Sequence, residues 1–181
     1  MGYAELVDAS DELLMQRYAG GDGGAFETLY NRHRGPLYRY MLRNLGDEMT
    51  ANDLYQGVWE RVIRARQRYR PTAKFTTWLY RIAHNHLVDF YRAKKPHLEL
   101  GAVSLVDSGP EPDRTVASQQ TGNRLHNAIA GLPPEQKDAL LLKLEQGLSL
   151  EEIATVTGVG RETVKSRLRY ATAKLRDLVE P

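Results

Sequence analysis

Apolar side chains recur along most of this chain at the spacing of a helix, three or four residues apart. Leu13, Leu14 and Tyr18 make the first stripe, with Ser10 placed to cap it. The run Gly20-Gly21-Asp22-Gly23-Gly24 ends that helix, and no Gly-Lys-Ser/Thr follows to make it a phosphate loop. Phe26, Leu29, Tyr30, Leu37, Tyr40 and Met41 predict a second helix, bent near Gly35-Pro36. The spacing predicts a third over Asp53 to Arg68 with Leu54, Val58 and Val62 inward. A fourth runs over Thr76 to Arg92, with Leu79, Ala83, Leu87 and Phe90 inward.

From Pro96 to Gly122 the pattern fails. This stretch is rich in breakers (Asp107-Ser108-Gly109-Pro110-Glu111-Pro112-Asp113) and poor in buried anchors, which reads as a linker. Beyond it, Leu125 to Leu132, Pro134 to Gln146, Leu150 to Thr157 and Arg161 to Leu178 predict four more helices. No stretch alternates convincingly with a period of two. The expected fold is all-α, two helical domains over 1–95 and 123–181 joined by a flexible linker over 96–122.

Composition narrows the chemistry. The absence of cysteine excludes disulfide scaffolds, thiol nucleophiles and the common structural zinc sites. Without a long apolar run or a signal-like start, the expectation is a soluble cytoplasmic protein that meets no membrane. The net charge of +2 hides an uneven distribution. Residues 1–60 carry 5 basic against 10 acidic side chains, whereas residues 61–95 carry 10 basic against Asp89 alone. A basic middle of this kind suits a polyanion, and an acidic head suits a basic partner.

The tail gives the polyanion a form. Ser149-Leu150-Glu151-Glu152 is a capping box, followed by a short helix, a turn at Thr157-Gly158-Val159 and a longer basic helix. That is the helix-turn-helix pattern, whose second helix enters the major groove. Glu162, Lys165, Ser166, Arg169 and Tyr170 fall on one broad face, with Val164, Leu168 and Leu175 turned to the core.

Two segments carry a resemblance. Leu148 to Ala154 together with Thr163-Val164-Lys165-Ser166-Arg167-Leu168 resembles region 4 of bacterial sigma factors of the extracytoplasmic-function type. Phe75-Thr76-Thr77-Trp78-Leu79-Tyr80-Arg81-Ile82-Ala83-His84-Asn85 is similar to their region 2.3–2.4 helix, and Ala25-Phe26-Glu27 and Asp53-Leu54-Tyr55-Gln56 fit regions 2.1 and 2.2. The resemblance spans roughly Asp11 to Leu178. It implies a specificity subunit that binds core RNA polymerase through the clamp of the beta-prime subunit and the beta flap, and promoter DNA. The first domain would open the −10 element and the second read the −35 element.

By resemblance, Arg81 and Asn85 contact the −10 strand, Tyr69 lies in the loop that receives an unstacked base, and Arg92, Lys94 and Lys95 hold phosphates. Arginines and amides suit separated strands, and an aromatic face suits a flipped base. Tyr69 is as readily a core residue, and Phe75 and Trp78 read as core. Arg161, Thr163, Lys165, Ser166, Arg167 and Arg169 are the expected −35 residues. His84 and His86, two apart on a helix, cannot converge on a metal, and no metal or cofactor is expected.

One departure stands out. Such factors usually open region 2.2 with Asp-Ala-Glu-Asp and continue Leu-x-Gln-Glu. Here the residues are Thr50-Ala51-Asn52-Asp53 and Leu54-Tyr55-Gln56-Gly57. Of the polymerase-facing set Thr50, Asn52, Asp53 and Gln56, only Asp53 keeps a carboxylate. Thr50 has two readings. In one it caps a helix through Thr50-x-x-Asp53. In the other, phosphorylation by a Ser/Thr kinase restores the missing charge, as in similar factors governed by a kinase and not by an anti-sigma protein. An anti-sigma partner is neither implied nor excluded. The alternative to a sigma factor is a two-domain helix-turn-helix regulator that binds duplex without polymerase. An enzyme is disfavoured, since no Cys, convergent acid–base cluster or phosphate loop is present.

Overall fold

The computed structural model describes Leu6, residues 8–94, Leu125 and residues 127–179. The expected linker and Lys95 lie outside the described residues. Seven helices are labelled here: α1 (Asp11–Ala19), α2 (Gly23–Leu45), α3 (Glu48–Ala65), α4 (Phe75–Lys94), α5 (Pro134–Leu144), α6 (Leu150–Thr157) and α7 (Arg161–Val179). A 3₁₀ turn over Arg66–Arg68 follows α3, and residues 127–130 are also helical. No strand occurs among the described residues, and none of their helices is long and apolar enough to cross a membrane.

Local chemistry explains the boundaries. Ser10 Oγ accepts the Leu13 amide, and Asp22 caps α2 through the Gly24 and Ala25 amides. Between those helices Gly21 sits at a φ of 102°, where a side chain would be strained. α2 is one helix across the site of the expected bend, and the start of α3 is corrected. α2 runs unbroken through Pro36, because Leu29, Leu37, Tyr40 and Met41 are buried along one stripe that spans both sides of the proline. α3 starts at Glu48 and not at Asp53: Gly46 closes α2 in the left-handed region, and Asp47 then caps α3. Thr50 is therefore inside the first turn of α3 and is not its cap.

Helices α1 to α4 close around Leu14, Met15, Leu29, Tyr40, Met41, Val58, Phe75, Leu79 and Ala83, all buried. The C-terminal half closes around Leu141, Leu142, Ile153, Val156 and Val164. These are not two cores. One continuous apolar cluster contains both sets, with α6 laid along α4 and α5 touching α2.

Candidate docking and nucleic-acid surfaces

The outward face of α3 is set by its inward one. Ala51, Leu54, Val58, Trp59 and Val62 are buried, which leaves Met49, Asn52, Asp53, Gln56 and Glu60 as an exposed stripe. Met49 is 75% exposed, an apolar side chain at the head of a polar row that sequence reasoning passed over. Thr50 is half-buried beside this stripe. Its amide donates to Asp47 Oδ2 at 2.9 Å, and its hydroxyl donates to the same oxygen. Those two bonds, the hydroxyl's first, hold the Asp47 carboxyl below its usual range, and Lys94 adds to the effect.

Gly57 has a packing reason of its own. The Nε2 end of His86, on α4, occupies the position that a Cβ at residue 57 would need. Burial, then the Arg61 charge, lowers the His86 pKa, and its Nδ1 is buried without a partner. A carboxylate at 57 could enter only by displacing this ring. The missing charge is thus tied to a histidine 29 residues away, a pairing no local pattern announces.

The loop before α4 is basic and closely packed. Arg66 and Arg70 bond to backbone carbonyls, while Arg68 is exposed. Tyr69 is 5% exposed, with ring contacts to Trp78 at 5.0 Å and Phe75 at 6.2 Å. Its hydroxyl is buried with no partner. Burial, then the charges of Glu12 and Asp11, push its pKa up to about 12. In this state Tyr69 is a core residue, and receiving a base would require the loop to open. Phe75 is fully buried and Trp78 half-buried. Glu12 of α1 accepts the Phe75 amide at 2.6 Å, so one helix caps the start of another.

Arg81, Asn85 and Arg92 lie on the outer face of α4, exposed and without a hydrogen bond or ion pair among the described residues. Lys94 is exposed too, its ammonium 4.7 Å from the Phe90 ring centroid. Asp89 on the same helix faces Arg61 at 3.4 Å. The stripe offers guanidinium and amide donors along about three turns of one face.

On α7 the capping box of α6 does what the sequence suggests: Ser149 Oγ accepts the Glu152 amide and Glu152 accepts the Ser149 amide. Gly158 ends α6 at a φ of 69° and α7 follows. Thr163, Lys165 and Arg169 are exposed, and Ser166 and Arg167 half-buried. Glu162, Lys165, Ser166 and Arg169 surround a shallow depression. Arg161 is committed elsewhere, its Nε 2.6 Å from Glu151 of α6. The Arg169 guanidinium rests over the Tyr170 ring at 5.1 Å, and that ring is itself exposed. No group of metal-ligating side chains converges among the described residues.

Comparison with known proteins agrees with this arrangement. Residues 29–96 match the family "Sigma-70 region 2" and residues 122–175 match "Sigma-70, region 4". The chain is 32% identical to the ECF RNA polymerase sigma factor SigM of Mycobacterium tuberculosis over 179 residues, covering 99% of this chain and 89% of that one. It is 30% identical to the RNA polymerase sigma-H factor of Pseudomonas aeruginosa, with 97% of each chain covered. In fold it is similar to CnrH, solved in complex with the cytosolic domain of CnrY, with a TM-score of 0.71, 25% identity, and coverage of 95% and 98% of the two chains.

Proposed function

Because this chain belongs to the extracytoplasmic-function sigma factors of RNA polymerase, we propose that its two halves divide promoter recognition between them. Residues 1–95 dock on the beta-prime clamp through α3 and capture the opened −10 strand along α4. Residues 123–181 bind the beta flap and read the −35 duplex with α7. The observation that carries this division is the pair of separate donor surfaces. One is the unpaired Arg81–Asn85–Arg92 stripe, and the other the Lys165–Ser166–Arg169 face. Neither surface needs chemistry of its own: the factor selects and opens DNA in the cytoplasm, and the polymerase makes the bonds.

Physically, the two surfaces suit different states of DNA. Lysine and arginine on a helix N-terminal half reach base edges and phosphates in a major groove. Arginine with an adjacent amide holds unstacked bases and their backbone. Purified chain, core polymerase and a library of promoter fragments test the assignment by run-off transcription. Arg81→Ala with Asn85→Ala should abolish opening while binding to core polymerase persists. Loss of core binding in that variant would refute the division.

We further infer that docking is governed at Thr50. With Asn52 and Gly57 in place of carboxylates, α3 presents Glu48, Asp53 and Glu60 as its exposed acids, with Arg64 exposed near its C-terminal end. A phosphate on Thr50 adds a charge of about −1.5 to −2 within the first turn, where the helix dipole favours an anion. Lys94, close enough to act on Asp47, is the cation at hand. Core polymerase binding by unmodified chain, Thr50-phosphorylated chain and kinase-treated Thr50→Ala tests this. Equal binding by all three would remove the switch and leave Thr50 as a helix-end hydroxyl.

A further inference from the structure

We propose that the free chain latches itself shut: Asp138 of the C-terminal half, buried against Tyr40 and His84 of the N-terminal half, fixes the helix-turn-helix over α4, and this latch must break before the promoter is read. The inference rests on the division of labour above.

Asp138 lies on α5 and is 6% exposed, an uncommon place for a carboxylate. A buried charge is tolerated only with hydrogen-bonding partners, and here both come from the other half. The Tyr40 hydroxyl donates to Oδ1, and His84 Nδ1 donates to Oδ2 at 2.7 Å. Burial, then the Asp138 charge, pushes the Tyr40 pKa well above its usual value, so the phenol remains a donor at any physiological pH. Within its own half Asp138 has no hydrogen-bond partner among the described residues. Its partners are present only when the halves are closed, which makes it a device for one particular docking geometry.

Two surface ion pairs flank the latch. Arg43 of α2 meets Glu145 just past α5, and Lys74 of the basic loop meets Glu152 of α6 at 3.0 Å. Glu152 is also the acidic member of the capping box. In the closed form it therefore draws one cation out of the loop that is to face DNA.

Geometry makes the closed form incompatible with a promoter. Two elements centred at −10 and −35 lie about 25 base pairs apart, roughly 85 Å of duplex at about 3.4 Å per pair. From Glu152, which touches the loop before α4, to Lys165 the chain traverses the rest of α6, a short turn and the start of α7. That path spans at most about 30 Å between Cα atoms. Adding the Lys74–Glu152 contact and the rise of α4 to Arg92 leaves the two reading surfaces at most about 70 Å apart, still short of that span, so the halves must part.

The chain has no cysteine, so two introduced ones can carry spin labels alone. Glu27→Cys on α2 and Thr172→Cys on α7 place them on exposed positions of opposite halves. Electron–electron double resonance on the full free chain should show one narrow distance distribution. Asp138→Ala should broaden and lengthen it and, in the Thr50-phosphorylated chain, tighten core polymerase binding about tenfold as the competent state is populated. Arg43→Ala, which alters only an exposed side chain, should shift the distribution the same way by less. A broad distribution in the unmodified chain would overturn the proposal. So would an unchanged one in Asp138→Ala with helical content intact. If distances lengthen but no form, the Thr50-phosphorylated ones included, binds core polymerase, closure stands and the promoter-reading assignment fails.

Discussion

Gly57→Ala is expected to leave stability nearly unchanged, yet to raise it by about 1 kcal/mol when His86 is already alanine. Gly57 lies in the interior of α3, where glycine ordinarily costs about 0.8–1.0 kcal/mol relative to alanine. The added Cβ coincides with the Nε2 end of His86, so the ring must swing away. Exposing roughly 40 Å² of a half-buried ring at about 25 cal/mol/Å² costs about 1 kcal/mol. The two terms cancel. With His86→Ala in place only the helix gain remains, so the double-mutant cycle should give a coupling near 1 kcal/mol. Urea unfolding followed at 222 nm on all four chains measures it. Equal stabilisation in both backgrounds would show that the ring does not occupy the glycine's space, and the packing account of the missing carboxylate would fall.

The same ring sets a pH dependence: its folded pKa is below 6.5, so as pH falls through that value the unfolded chain takes up the proton first and stability declines. His86→Ala should lose that part of the acid destabilisation, and NMR titration should find His86 nearer 6.5 in Gly57→Ala. Ser149→Ala removes one arm of the capping box and should cost about 1 kcal/mol in unfolding free energy. Glu12→Ala uncaps α4 at the Phe75 amide and should cost about 1–2 kcal/mol, with a further loss of −10 opening because Arg81 and Asn85 ride on that helix. Lys165→Ala should weaken −35 duplex binding and reduce the salt slope of the binding constant by about one, whereas Arg161→Ala, already tied to Glu151, should change the slope less.

What the sequence disclosed was whatever depends on neighbours along the chain. The Ser149–Glu152 box, the Gly158 turn and the inward stripe of α4 were legible because their partners lie within four residues. The start of α3 lies before Asp53 because Gly46-Asp47 carries the stop and cap signals, ahead of the apolar stripe that predicts the helix. Pro36 lies inside α2, and burial of Leu37, Tyr40 and Met41 beyond it carries the helix on past the proline. Long-range pairings left no trace. Asp138, in a Pro-Glu-Gln-Lys-Asp run that reads as solvated, meets Tyr40 98 positions earlier. Tyr69 sits in a loop without periodicity, so the choice between core and base-receiving roles stayed open, and its orphaned hydroxyl could not be foreseen.

The hydroxyl of Thr50 is already engaged by Asp47 in the first turn of a helix. On the proposed switch, a kinase that takes its substrate as an extended strand would have to wait for that turn to fray, so the rate of modification would be set by the lifetime of a helix end as well as by the enzyme. Anything that stiffens α3 shields the residue. On the proposed switch a docked factor already carries the phosphate, so the kinase meets only undocked chains. Modification would then act on the idle pool, setting how many factors enter the next round of initiation rather than interrupting those already engaged.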